Sequence, residues 1–205
     1  MRNSARRGFG LLLFISGGFL LAFAGGRYAV GAVRADAARA AWDSVQARQA
    51  VAYAHSVAFH SPTREAMVPG TPVARLVIPR IGLDEIVLEG VDADALNAGP
   101  GHLSGTVFPG EPGNSVISGH RDRHFIHFDA LDVGDTLTTE SESGARSWII
   151  VSSRVIGKDD PALFRTRDAT LTLTTCWPIR YLGPAPDRLI ITAKLLKHAP
   201  APAAS

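Results

Sequence analysis

Hydrophobic and polar positions along this chain fall into three successive textures. The first is unbroken: GFGLLLFISGGFLLAFAGG, residues 8–26, carries no charge. Its length is close to the roughly 20 apolar residues that cross a hydrocarbon core of about 30 Å as a helix. Arg2, Arg6 and Arg7 precede it. The positive-inside bias therefore predicts a cytoplasmic flank over residues 1–7, a transmembrane signal-anchor helix over 8–26, and everything downstream on the outer side. Ala22-Phe23-Ala24 has the small-x-small pattern of a cleavage site, so a removed signal peptide is the competing reading. Apolar character continues past Arg27 through residues 28–33, which favours a retained anchor. Both readings export the main domain.

The second texture, residues 34–60, is alanine-rich with scattered charges and holds no Gly or Pro, which predicts helix. Trp42 and Val45 share a face at i, i+3, but Gln49 interrupts the stripe one turn later. So weak a stripe fits a stalk or a helix lying on the domain. SPTREAMVPGTP, residues 61–72, carries three prolines and a glycine and predicts a linker, so that spacer and linker together span 27–72.

From Val73 the texture changes to short β-branched runs separated by Gly, Pro and Asp: VARLVIP, EIVLEG, NSVISGH, DTLTT, SWIIVSSRVI, ATLTLTT and RLIITAKLL. These predict an all-β barrel or sandwich over residues 73–197. In ATLTLTTC, Leu171 and Leu173 point to one face and Thr170, Thr172 and Thr174 to the other; period 2 then puts Thr175 with the leucines and Cys176 with the threonines. ADALNAGPGHL (93–103) has room for one short helix, FDALDVGD (128–135) contains a turn, and HAPAPAAS (198–205) predicts a disordered tail.

With 46% hydrophobic and 20% charged residues, the composition is that of a globular protein. The net charge of +2 resides in the N-terminus: without Arg2, Arg6 and Arg7, 18 basic residues face 19 acidic ones. No basic surface is left to suggest a nucleic-acid partner. A single cysteine excludes an internal disulfide and any zinc site built on several thiolates.

That cysteine ends the strand TLTTC. A free thiol has a pKa of about 8.5 and is mostly protonated near neutrality, so a cysteine nucleophile needs help. His120 in SGHRD sits where one apolar run ends, and Arg188 in DRLIITA where the last one begins. Three polar groups at three strand ends form the pattern of a catalytic rim on a β-scaffold. A small buried hydrophobe remains the plain alternative for Cys176, as a surface or structural role does for any of seven histidines.

TLTTC at 172–176 resembles the TLxTC signature of the sortases, the bacterial cysteine transpeptidases. SGHRD at 118–122 is similar to the family's strand-end histidine motif, and Arg188 falls where its arginine opens the last strand. His120 and Cys176 are 56 residues apart and Cys176 and Arg188 12 apart, as in that family. GPGHLSGTVFPGEPGNSVISGHRD (99–122) and CWPIRYLGPAPDR (176–188) resemble the flanking segments of class D and proteobacterial members, although Ile179 stands where that pattern has phenylalanine.

The resemblance implies a closed eight-stranded β-barrel with short helices, preceded by the transmembrane helix and helical spacer. It implies that Cys176 attacks a sorting-signal peptide, that His120 handles the protons and that Arg188 stabilises the oxyanion, with Thr175, Trp177 and Asp122 as weaker substrate-site candidates. His124 and His127 are expected to be structural or surface residues, and Arg180 a substitute for Arg188 only if the strand boundary lies elsewhere. The chemistry needs no metal or organic cofactor. The implied partners are a secreted protein with a C-terminal sorting signal, an amine acceptor and the cytoplasmic membrane. A papain-like protease would need its histidine far downstream of the cysteine, and an L,D-transpeptidase would hold both in one short motif; neither pattern is present. The rival of another class is a non-catalytic, membrane-tethered β module.

Overall fold

The computed structural model describes residues 2–53, 67–142, 144–158 and 166–196, with side chains in the first stretch described for 16–44. The alanine-rich start forms one helix, α1 (Arg2–Tyr53), that runs through the expected border between anchor and spacer without a break. Nothing at that border stops a helix: Gly25 and Gly26 each cost only about 1 kcal/mol relative to alanine, and no proline intervenes. Among the described residues no helix is long and apolar enough to cross a membrane. The first part of the predicted span, residues 8–15, lies outside the described side chains.

Trp42 and Ala38 bury against Ile86, Leu88 and Ala98, so α1 lies on the domain. Val45 and Gln49 are outside the described side chains, and residues 61–66 of the predicted linker and the tail at 198–205 are outside the described residues.

The β-branched runs become strands β1 (Pro72–Ile78), β2 (Leu83–Glu89), β4 (Asn114–Ser118), β5 (Thr136–Ser141), β6 (Gly144–Gly157), β7 (Thr170–Trp177) and β8 (Asp187–Leu195), with β3 (Gly101–His102) between β2 and β4. They close into a barrel in the order β1-β2-β3-β4-β7-β8-β6-β5. The periodicity of the sequence marks seven of these. Two residues are too few to alternate, and β3 exists only because closure demands a rung between β2, which it meets in parallel, and β4, which it meets antiparallel. The short helix expected in 93–103 is α2 (Ala93–Ala98), capped by the Asp92 carboxylate accepting from the N–H groups of Asp94 and Ala95.

Inward-facing residues of every long strand fill the barrel, among them Leu76, Leu137, Trp148, Leu171, Leu173 and Ile191, and residues as large as Trp148 are wholly buried. Trp148 keeps its indole N–H satisfied by donating to Thr139 Oγ1 at 2.9 Å. A polar cluster staples β2 to β3 and to the segment leading into β4. His102 Nδ1 lies 2.7 Å from Glu89 Oε2 and its Nε2 3.0 Å from the Val107 carbonyl oxygen, while Ser104 Oγ donates to Glu89 Oε1 at 2.7 Å. Both His102 and Glu89 are buried, which is tolerable because each polar atom has a partner.

Candidate active site

Strict alternation in TLTLTTCW carries into the barrel wall. Leu171, Leu173 and Thr175 are buried on the inner side, whereas Cys176 is half-buried and lies outside the main apolar cluster, on the threonine face as expected. That outer face is not washed by solvent, since Thr170 and Thr172 are 1% and 2% exposed. Val116 of β4 and Ile190 of β8, beside them, are buried too. The thiol thus sits at the end of a largely buried outer floor.

Two neighbouring strands bring the other two groups. On one side β7 pairs antiparallel with β8, and Cys176 and Arg188 are direct cross-strand partners. Such partners project from the same face with Cβ atoms about 5 Å apart. On the other side β4 runs parallel to β7, with Ser118 opposite Thr174. The ladder extends one residue further through the Gly119 N–H donating to the Thr174 carbonyl at 3.1 Å. His120, two residues beyond Ser118, lies where the chain leaves this ladder, near the level of Cys176, two beyond Thr174. Because β4, β7 and β8 are consecutive in the barrel, the strand ends that carry His120, Cys176 and Arg188 are neighbours at one end of the wall. Their separation in sequence, 68 residues from His120 to Arg188, is erased by strand order alone.

Local contacts hold this row. Thr175 Oγ1 donates to the Gly119 carbonyl at 2.7 Å and is buried, so it ties the residue before the nucleophile candidate to the residue before the histidine. Gly119 has to be glycine: a Cβ there would stand 2.7 Å from the ring of Phe125, which stacks on Phe128 in the core. Thr175→Val keeps the side-chain volume but strands the buried carbonyl. It should therefore destabilise the domain by about 1–3 kcal/mol, read as a shift of the denaturant midpoint, and an unchanged midpoint would count against the tie.

Burial pushes the pKa of His120 below its ordinary value of 6.5; the charges of His124 and Arg123 add to this, and only Asp122 opposes it. Asp122 is exposed and acts on His120 through its charge, which favours the imidazolium. Arg188 is half-buried, with Nη1 donating to the Asp187 carbonyl at 2.9 Å. Trp177 packs against the barrel core, as does Ile179. His127 is exposed, and Arg180 is exposed in the connection before β8, leaving Arg188 as the arginine that opens the strand.

Sequence reasoning missed two features of the segment after His120. Arg121 donates three hydrogen bonds to backbone carbonyls of the connection from β7 to β8. Arg123 faces the N-terminal helix system, and His124 a carboxylate of β2. The Arg123 guanidinium lies over the Tyr28 ring of α1, 4.5 Å from its centroid, and bonds the Asn97 carbonyl of α2. His124 Nδ1 lies 3.5 Å from Glu85, which also pairs with Arg39 of α1 at 3.7 Å. No local signal in SGHRDRH distinguishes these partners, because every one of them is supplied by a distant element.

Residues 76–196 match the family model of the sortase domain. Sortase D of Bacillus subtilis (strain 168) is 39% identical over 121 residues, covering 58% of this chain and 61% of the relative's own length. Among solved structures, a sortase D5 transpeptidase from Clostridium perfringens is similar, with a TM-score of 0.59 at 30% identity over 66% of this chain and 85% of that one. Sortase C-1 of Actinomyces oris has a TM-score of 0.57 at 29% identity, over 62% and 76%. An eight-stranded barrel of this order, carrying TLTTC and SGHRD at neighbouring strand ends and matched over more than half its length, makes this chain a member of the sortase family.

Proposed function

We propose that this protein is a membrane-anchored cysteine transpeptidase that cleaves an LPxTG-like C-terminal sorting signal of a secreted protein and passes the protein to an amine acceptor or to water. The observation that supports this reading is that Cys176 and Arg188 are cross-strand partners and His120 follows the end of the strand beside them, in the order β4-β7-β8. The Cys176 thiolate attacks the scissile carbonyl carbon. The C–N bond breaks, the leaving amine takes a proton from the His120 imidazolium, and a thioacyl-enzyme remains. An incoming amine then attacks the thioester and gives its proton to His120, and the C–S bond breaks to restore the thiolate. Arg188, a permanent cation with several donors, stabilises the oxyanion in both steps. None of these steps requires a metal or an organic cofactor.

The uncharged stretch at 8–26 behind three arginines supports a single-pass anchor in the bacterial cytoplasmic membrane, with residues 1–7 inside and the barrel outside. The similarity to sortase D of Bacillus subtilis supports a class D-like assignment.

The test is mass spectrometry of the full chain in detergent mixed with LPxTG-like peptides. An acyl adduct on Cys176 that is discharged by added amine is expected. If no peptide acylates a thiol that iodoacetamide alkylates normally, the reading fails and the membrane-tethered β module takes its place.

A further inference from the structure

Arg121 follows His120 directly, yet its guanidinium serves a different part of the chain. Nη1 donates to the Pro178 carbonyl at 2.9 Å, and Nη2 donates to the carbonyls of Tyr181 and Gly183 at 3.0 Å and 2.7 Å. Its Cζ also stands 5.6 Å from the centroid of the Tyr181 ring. All three acceptors belong to residues 178–186, the connection that leaves β7 just after Cys176 and enters β8 just before Arg188. This stretch has no strand ladder to hold it, and it projects Tyr181 and Leu182 outward, Leu182 at 99% exposure. One side chain therefore binds the rim that carries His120 to the loop that begins beside the thiol and ends beside the guanidinium.

We infer that Arg121 is a positioning residue that holds the 178–186 loop as one wall of the peptide groove, with Tyr181 and Leu182 presented to the bound chain. The inference rests on the transpeptidase reading of the same site. Three donors fixed in one plane suit three carbonyls at different points of a turn, which the point charge of a lysine cannot reproduce. Holding a wall governs how well the peptide is bound before chemistry, and leaves the reactivity of the thiol alone.

The experiment compares the unaltered full chain with Arg121→Ala and Arg121→Lys in detergent. It uses a peptide that acylates Cys176, together with hydrogen exchange of the loop amides and alkylation of Cys176 by iodoacetamide. Arg121→Ala should raise KM about tenfold with kcat within about threefold, the pattern of lost ground-state binding. Exchange across 178–186 should accelerate while alkylation stays within about twofold, because a group outside the reacting atoms does not alter the nucleophile. Arg121→Lys should recover only a minor part of the KM effect. An unchanged KM, or unchanged loop exchange, would overturn the role of Arg121. So would a fall in kcat matched by a loss of alkylatable thiol, which marks general misfolding. Absence of turnover in the unaltered chain instead defeats the transpeptidase reading, and the loop exchange of Arg121→Ala then still decides whether this arginine holds the wall.

Discussion

Cys176→Ala should lower kcat/KM for a sorting-signal peptide by at least about 10⁴-fold, the scale on which a covalent nucleophile is lost. Cys176 is the only thiol in the chain, so no neighbour can substitute for it. Groups that bind the peptide and its oxyanion survive the change and leave a small residual rate, as when any member of a catalytic set is removed alone. The domain itself should stand, because Cys176 is half-buried and outside the main apolar cluster. Removing one sulfur atom from such a site should shift stability by about 1 kcal/mol or less. Steady-state kinetics and thermal unfolding of the same preparation check both halves. Unimpaired processing by Cys176→Ala in cells would mean the thiol is spare.

The second large effect is expected at His120. His120→Gln keeps a polar side chain of similar reach but cannot cycle a proton, and should reduce kcat/KM about 10³-fold, within the usual range for a general acid–base group. Its pH signature concerns stability as well as rate. Since burial holds the folded pKa of His120 below 6.5, the unfolded chain takes up the proton first as pH falls. Stability is therefore lost between about 6.5 and the lower folded value, and levels off below it. Thermal midpoints from pH 7.5 down to 5 should drop in the unaltered protein and drop less in His120→Gln. Parallel curves would show that His120 titrates alike in both states, against the half-buried position of its ring.

Elements whose pattern is local are legible in the residues themselves. Seven strands span five or more residues each, long enough to show a period, and the helix at 93–98 begins at an aspartate cap. Parity in TLTTC is enough to place Cys176 away from the leucine face. β3 is invisible in the sequence because two residues carry no period. The weak stripe at Trp42 leaves α1 undecided between a stalk and a docked helix, since its partners Ile86 and Leu88 lie on a strand more than 40 residues away. Asp122, adjacent in sequence to the segment of His120, is exposed to solvent and acts on the imidazole through its charge, which the residues alone do not show.

Residue types and short-range periods, then, determined on their own that this chain is a β domain behind an apolar, arginine-flanked segment, with a cysteine, a histidine and an arginine at strand ends. Those properties depend on interactions within a few residues. Tertiary structure decided which strands are neighbours. Closure in the order β4-β7-β8 brings three remote strand ends together at one end of the wall, α1 against the segment after His120, and Arg121 across to the loop after Cys176. The physical reason is that strand order and long-range hydrogen bonds are set by burying the barrel interior as a whole, a quantity that no single stretch of sequence contains.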